Sequence, residues 1–186
     1  DFVIEGDSLL FAEKAAEILG RKKVVKFPRF KTAKVVFRKK SIEFVSARSE
    51  EYEKNSRKPK VKNASLYNDL SRRDFTINTL AARVNCSGDF EIIDFFDGIT
   101  DIKRKLLKTP LDPNITYSED PLRMMRCIRF ASVLDFRIDP SSFRAISGNV
   151  ERIRIVSVER SSEELFKIIA SEILLKVFTR RHSLVY

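Results

Sequence analysis

The stretch EDPLRMMRCIRF, residues 119–130, decides how this chain is read. Asp120 and Arg123 stand three residues apart at a helix start, so their side chains fall on adjacent turns and can hold one planar object edge-on. A carboxylate only accepts hydrogen bonds and a guanidinium only donates them. Cytosine and adenine each present an exocyclic amine beside an unprotonated ring nitrogen and fit such a pair. Uracil and guanine present a carbonyl beside a ring N–H and do not. The same residues also read as plain helix architecture. Asp120 precedes Pro121, the pattern of an N-cap followed by proline at the first helical position, and an i, i+3 Asp–Arg pair needs no ligand. Arg126 and Arg129 continue the three-residue steps, drifting about 60° round the helix each time. Leu122, Met125, Ile128, Phe130 and Leu134 supply an apolar side. A fan of long cations on a helix with a buried back reads as an anion site.

Charge points the same way. The 186 residues carry a formal net charge of +10, and the excess is uneven: residues 1–110 hold 24 Lys/Arg against 16 Asp/Glu. The window Arg21 to Lys40 has ten basic residues and no acidic one. A polyanionic partner bound with salt-dependent affinity is the natural inference, against the plainer reading of a solvated basic face. The length allows one sizeable domain or two small ones. Cys86 and Cys127 are isolated, with neither metal-ligand spacing nor a disulfide framework, which fits a reduced compartment. One histidine, His182, excludes histidine triads and zinc sites. No apolar run could span a bilayer and no signal peptide is seen, so the cytoplasm is expected.

Local patterns predict a helix over Ser8 to Leu19, capped by Asp7 or Ser8 and stopped by Gly20. Strands are expected at Val24–Phe27, Ala33–Phe37 and Ile42–Val45, the last two joined by a basic turn through Arg38 to Ser41. Ser49 to Leu66 is polar and lysine-rich and reads as a mobile loop. Asn68 to Val84 reads as helix then strand, Phe90 to Phe96 as strand, and Asp97-Gly98 as a turn. Prolines 110 and 113 interrupt the pattern and separate a mixed α/β unit from a helical one. From Pro121 onward the period is helical, with breaks near Asp135 to Pro140 and near Ser157.

RRDFTIN at 72–78, the Asp94/Gly98/Asp101 spacing, EDPLR at 119–123 and ERSSEEL at 159–165 occur in the order of the bacterial CCA-adding enzymes. These class II tRNA nucleotidyltransferases have the bacterial poly(A) polymerases as close relatives. DFVIEGD at 1–7 and IEFVSAR at 42–48 resemble that family too, so the similarity runs to about Ser171. It implies an α+β fold: a polymerase-β-like nucleotidyltransferase head, with a mixed β-sheet and flanking helices, followed by an all-helical neck. Residues 1–111 would be the head, 112–171 the neck with its base-reading helix, and 172–186 an unplaced segment that could start a helical body.

The resemblance also implies roles. Asp1 and Glu43 match strand carboxylates that act in catalysis and hold Mg2+, although Glu43 alone reads equally well as a solvent-facing strand residue. Arg73 would contact the phosphates of the incoming nucleotide, Asp74 and Asn78 would shape the sugar pocket, and Arg72 would support the loop. Asp120 and Arg123 would read the base, while Arg126 and Arg129 complete the nucleotide site. Glu159, Arg160 and Glu164 would buttress that reader from the next helix, and Asp94 and Asp101 would hold a turn. The substrates implied are CTP, ATP and tRNA; the basic window and the lysine-rich segment would meet RNA backbone. A poly(A) polymerase, a CC-only or A-only adding enzyme, and a non-catalytic RNA-binding relative remain alternatives. The family's glycine-rich phosphate loop and first carboxylate would stand ahead of Asp1, and the sequence is expected to begin downstream of them. Recognition of tRNA shape is expected in a carboxy-terminal body and tail beyond these residues. Three departures stand out: Lys31 and Asp97 occupy positions where glycine is usual, and Ser161 replaces an isoleucine.

Overall fold

Asp7 sets the first helix. Its Oδ1 accepts hydrogen bonds from the backbone N–H of Leu9 at 2.8 Å and Leu10 at 3.2 Å, satisfying donors that the first turn leaves open. The structure, a computed structural model, describes residues 1–20, 23–37, 40–51, 60–85 and 87–171. These fall into two compact units, one comprising Asp1–Glu51 with residues 60–70 and the other beginning at Ser71. The basic turn expected through Arg38 begins with residues outside the described set, as does the expected terminal segment 172–186.

In the first unit, β1 (Phe2–Ile4) is followed by α1 (Ser8–Ile18), β2 (Val24–Phe27), β3 (Thr32–Phe37) and β4 (Lys40–Ser46). The sheet order is β1-β4-β3-β2; β1 runs parallel to β4 and the other pairs are antiparallel. This is the expected mixed sheet. Ala12 and Ala16 of α1 lie fully buried against Ala33, Val35 and Phe44, small side chains that let the helix sit close to the strands. Ser8 fixes the helix start: its N–H donates to Ser46 Oγ at 3.0 Å and its Oγ–H to the Lys31 carbonyl at 2.7 Å. Lys31 itself takes a left-handed conformation, φ 48° and ψ 46°. That backbone favours glycine, which accounts for the usual residue at this place.

The segment expected as a loop over Ser49 to Leu66 contains strands. β5 (Arg48–Glu51) pairs antiparallel with β6 (Lys60–Asn63), and α2 (Leu66–Ser71) follows. Backbone pairing holds this ribbon without an apolar alternation, so periodicity did not reveal it. The stretch 52–59 lies outside the described residues.

In the second unit, a 3₁₀ turn at Thr76–Asn78 leads into the hairpin of β7 (Ala81–Val84) and β8 (Phe90–Ile93). Next come α3 (Gly98–Arg104), β9 (Leu106–Leu107), α4 (Pro113–Glu119), α5 (Leu122–Leu134), β10 (Arg137–Ile138), α6 (Pro140–Asn149) and α7 (Val158–Ile169). Asp97-Gly98, expected as a turn, is the start of α3. The Asp94 carboxylate accepts from Gly98 N at 2.8 Å and Ile99 N at 2.9 Å, and Asp97 takes φ 59°. Gly98 is required for space: a Cβ there would lie 2.4 Å from the Thr76 carbonyl oxygen. The run after Pro121 is not wholly helical, because β10 pairs parallel with β9. Phe75, Leu107 and Cys127 form one buried cluster, while Tyr117, Met124 and Ala145 form another. Among the described residues no helix is long and apolar enough to cross a membrane.

Candidate nucleotide site

RRDFTIN and α5 meet within the second unit, around a cavity of about 570 Å³. Asp74, 8% exposed, is the centre of the arrangement. Its Oδ1 accepts from Phe75 N at 3.0 Å and Asn78 Nδ2 at 2.9 Å. Its Oδ2 accepts from Arg126 Nε at 2.9 Å and Nη2 at 2.6 Å. Arg73 Nη1 donates to the Asn78 carbonyl at 2.9 Å, closing the loop on itself. The turn beneath is held by Asp101, buried, whose Oδ2 accepts from Thr76 Oγ1 at 2.7 Å. Asp94 and Asp101 therefore do hold the turn as expected.

At the head of α5, Asp120 Oδ1 accepts from Leu122 N at 3.2 Å. Arg123 is 7% exposed and its guanidinium is anchored on main chain, Nη2 to the Arg72 carbonyl at 2.7 Å and Nη1 to the Thr116 carbonyl at 3.3 Å. Both side chains line the cavity; α5 starts at Leu122 with Pro121 at its cap position, one residue later than expected, while the Asp120 carboxylate still accepts from its first N–H. Arg73, Asp74, Asn78 and Arg126 complete the polar wall, and Phe130 supplies an apolar one. The Phe130 ring stacks edge-on to Phe75 with centroids 5.6 Å apart, and the Arg126 guanidinium lies 5.3 Å from its centroid. Several guanidiniums and few carboxylates make this an anion-attracting, partly desolvated site.

Arg129 departs from expectation. It does not line the cavity: its Nε donates to Glu164 Oε2 of α7 at 2.6 Å, and its guanidinium lies 4.3 Å from the Phe130 centroid. The step of about 60° between Arg126 and Arg129 turns the second arginine from the cavity toward α7. Arg160, expected to act from behind, is instead an exposed residue of the cavity wall. Glu159 is exposed, and hydrogen bonds from its own backbone N–H and the Ser157 hydroxyl hold its carboxyl below the ordinary range. The main-chain anchors of Arg123, at Arg72 and Thr116, carried no sequence signal.

In the first unit, Asp1 is exposed and precedes β1, while Glu43 is half-buried in β4. The parallel register pairs Phe2 with Phe44; continued by one residue, it sets Asp1 beside Glu43 on one sheet face. Glu43 Oε2 also meets Lys34 Nζ of β3 at 3.1 Å. Two carboxylates side by side are oxygen donors suited to a hard divalent cation. No group of three or more candidate metal ligands occurs among the described residues.

The mixed α+β fold and the arginine-lined cavity on RRDFTIN and α5 place the chain in the class of polymerase-head folds. The chain is a member of the family described as the poly A polymerase head domain, whose model matches residues 1–108. A second model, described as a probable RNA and SrmB-binding site of polymerase A, matches residues 135–180. The chain is 42% identical over 150 residues to the A-adding tRNA nucleotidyltransferase of Aquifex aeolicus, covering 81% of this chain and 18% of that one. It superposes on a CCA-adding enzyme solved in its apo form II with a TM-score of 0.80 at 34% identity, covering 97% of this chain and 43% of that one. With the Thermotoga maritima CCA-adding enzyme complexed with tRNA-CCA the TM-score is 0.78 at 31% identity, over 97% of this chain and 40% of that one. The chain thus spans less than half the length of these relatives.

Proposed function

We propose that this chain is the nucleotide-selecting part of a tRNA nucleotidyltransferase that adds CMP and then AMP to the tRNA 3′ end, without a nucleic-acid template, from CTP and ATP. The observation that carries this reading is the cavity that joins Asp120 and Arg123 to Arg73, Asp74, Asn78 and Arg126. Asp120 accepts from an exocyclic amine and Arg123 donates to the neighbouring ring nitrogen, a match for cytosine and adenine. Because main-chain carbonyls already hold Arg123, its orientation is set before a base arrives. Arg73 and Arg126 face the phosphates, and Asp74 with Asn78 borders the sugar. Arg126 keeps its bond to Asp74 in the structure; an incoming phosphate competes for that guanidinium. Arg129 and Glu164 set the position of α5 against α7, and Arg160 joins the wall.

Asp1 and Glu43 would hold Mg2+, and the donor set fits it. When bound, that ion favours attack by the 3′ hydroxyl on the α-phosphate and offsets charge on departing pyrophosphate. The chain's own side chains then contribute orientation and electrostatics, with no covalent enzyme intermediate. We assign residues 1–111 to the head and 112–171 to the neck; the head-domain match over residues 1–108 supports the first of these bounds. Cytoplasmic residence with a reduced Cys127 accompanies this reading.

A second reading, addition of AMP alone, is favoured by the Aquifex aeolicus relative, which matches more than three quarters of this chain. The test supplies the complete protein with tRNA lacking its terminal nucleotides, Mg2+, and each labelled nucleotide separately. Incorporation of CMP followed by a single AMP supports the main reading. A single AMP on tRNA already ending in CC, without CMP incorporation, supports the second. Long adenylate tails or no transfer at all would contradict both.

A further inference from the structure

The antiparallel register of β3 and β4 pairs Lys34 with Glu43, and β1 pairs with β4 from Phe2 against Phe44, one residue after Asp1. Lys34 and Glu43 therefore lie side by side on the sheet face opposite α1, since their strand neighbours Ala33 and Phe44 are the ones buried under that helix. Lys34 Nζ lies 3.1 Å from Glu43 Oε2, with side chains 40% and 29% exposed. We infer that Lys34 is a built-in competitor of the divalent cation at Glu43, a positioning residue that holds the carboxylate until the ion displaces it. The inference rests on the reading of Glu43 as a metal ligand.

A lone carboxylate in an apolar strand is costly without a partner. The Lys34 ammonium supplies that partner, 3.1 Å from Glu43 Oε2. A divalent cation taking the same oxygen must first break this pair, so the pair's worth is subtracted from the ion's affinity. A partly exposed pair is a modest opponent, weak enough to yield to a doubly charged ion. Once released, the ammonium stays on the neighbouring strand, so Lys34 lowers the affinity of Glu43 for the ion.

The experiment titrates the complete protein with Mn2+ alone and reads free Mn2+ by electron paramagnetic resonance, so no catalytic turnover is involved. Lys34→Met should bind Mn2+ about two- to fivefold more tightly than wild type, the range expected for losing an opposing surface ion pair. Lys34→Arg, which keeps the positive charge, should restore the wild-type constant. Far-ultraviolet circular dichroism confirms that each variant is folded. A Lys34→Met constant within about 1.5-fold of wild type, with Glu43→Gln abolishing binding, overturns the inference and leaves the metal site standing. Unchanged Mn2+ binding in Glu43→Gln overturns the metal reading itself, and the inference with it.

Discussion

Replacing Glu164 with methionine tests how α5 is held. The carboxylate lies 2.6 Å from Arg129 Nε, and the two side chains are 7% and 16% exposed. Removing one partner of such a pair strands the other charge, at a cost of about 3–5 kcal/mol. Two features moderate that figure. The Arg129 guanidinium keeps its place 4.3 Å from the Phe130 ring centroid, a cation–π contact worth about 0.5–2 kcal/mol. Lys167 Nζ, 3.8 Å from Glu164 and 47% exposed, loses little when the carboxylate goes. The net destabilisation of the second unit is about 2–4 kcal/mol, a fall of roughly 8–16 °C in its melting temperature for a unit of about 100 residues. Near-ultraviolet circular dichroism during heating and urea titration measures both. The double variant Arg129→Met/Glu164→Met should recover about 2 kcal/mol relative to the sum of the single changes. A Glu164→Met protein within about 0.5 kcal/mol of wild type, or strict additivity in the cycle, would refute the assignment of this pair to helix packing.

Three further outcomes are expected. Lys31→Gly should be more stable than Lys31→Ala by about 1 kcal/mol in urea unfolding, because only glycine relieves the left-handed backbone at φ 48°. Cys127 is fully buried, and that burial pushes its thiol up to about 11. The folded chain then keeps a proton that the unfolded chain releases above its ordinary pKa of 9.0. Stability relative to Cys127→Ala is therefore fully present below pH 9 and falls between pH 9 and about 11, by about 1.4 kcal/mol per pH unit; urea unfolding across that range checks the slope. Finally, Asp120→Ala should flatten the preference for CTP and ATP over UTP and GTP by at least tenfold, whereas Glu164→Ala changes it by less than threefold. Competition binding with each nucleotide measures both, and equal small effects would reduce Asp120 to a helix cap.

Local chemistry made much of this legible in the sequence. Asp7 before an amphipathic run gave the start of α1, and the short β-branched and aromatic run Val24–Phe27 gave β2 with its observed bounds. Lys31 and Asp97, singled out as departures from glycine, turn out to be left-handed residues. What escaped depends on distant partners. Leu106 and Arg137 form a two-residue parallel bridge across an intervening pair of helices, and nothing local marks either. Apart from Val61 the β5–β6 ribbon is polar, so no hydrophobic alternation betrays it. At the site, helical spacing showed that Arg126 and Arg129 diverge, but not that Asp74 meets the first and Glu164 the second. Lys34 was hidden for the same reason, since only the register of β3 against β4 brings it to Glu43.

The central claim is that one side-chain pair at the head of α5 selects the base. A crystal structure of the complete protein with CTP and Mg2+ tests it most directly. The account predicts the cytosine amine within hydrogen-bonding distance of Asp120, the ring nitrogen facing Arg123, and the phosphates toward Arg73 and Arg126. A pyrimidine ring seated away from Asp120 and Arg123, with the triphosphate bound elsewhere, would contradict it.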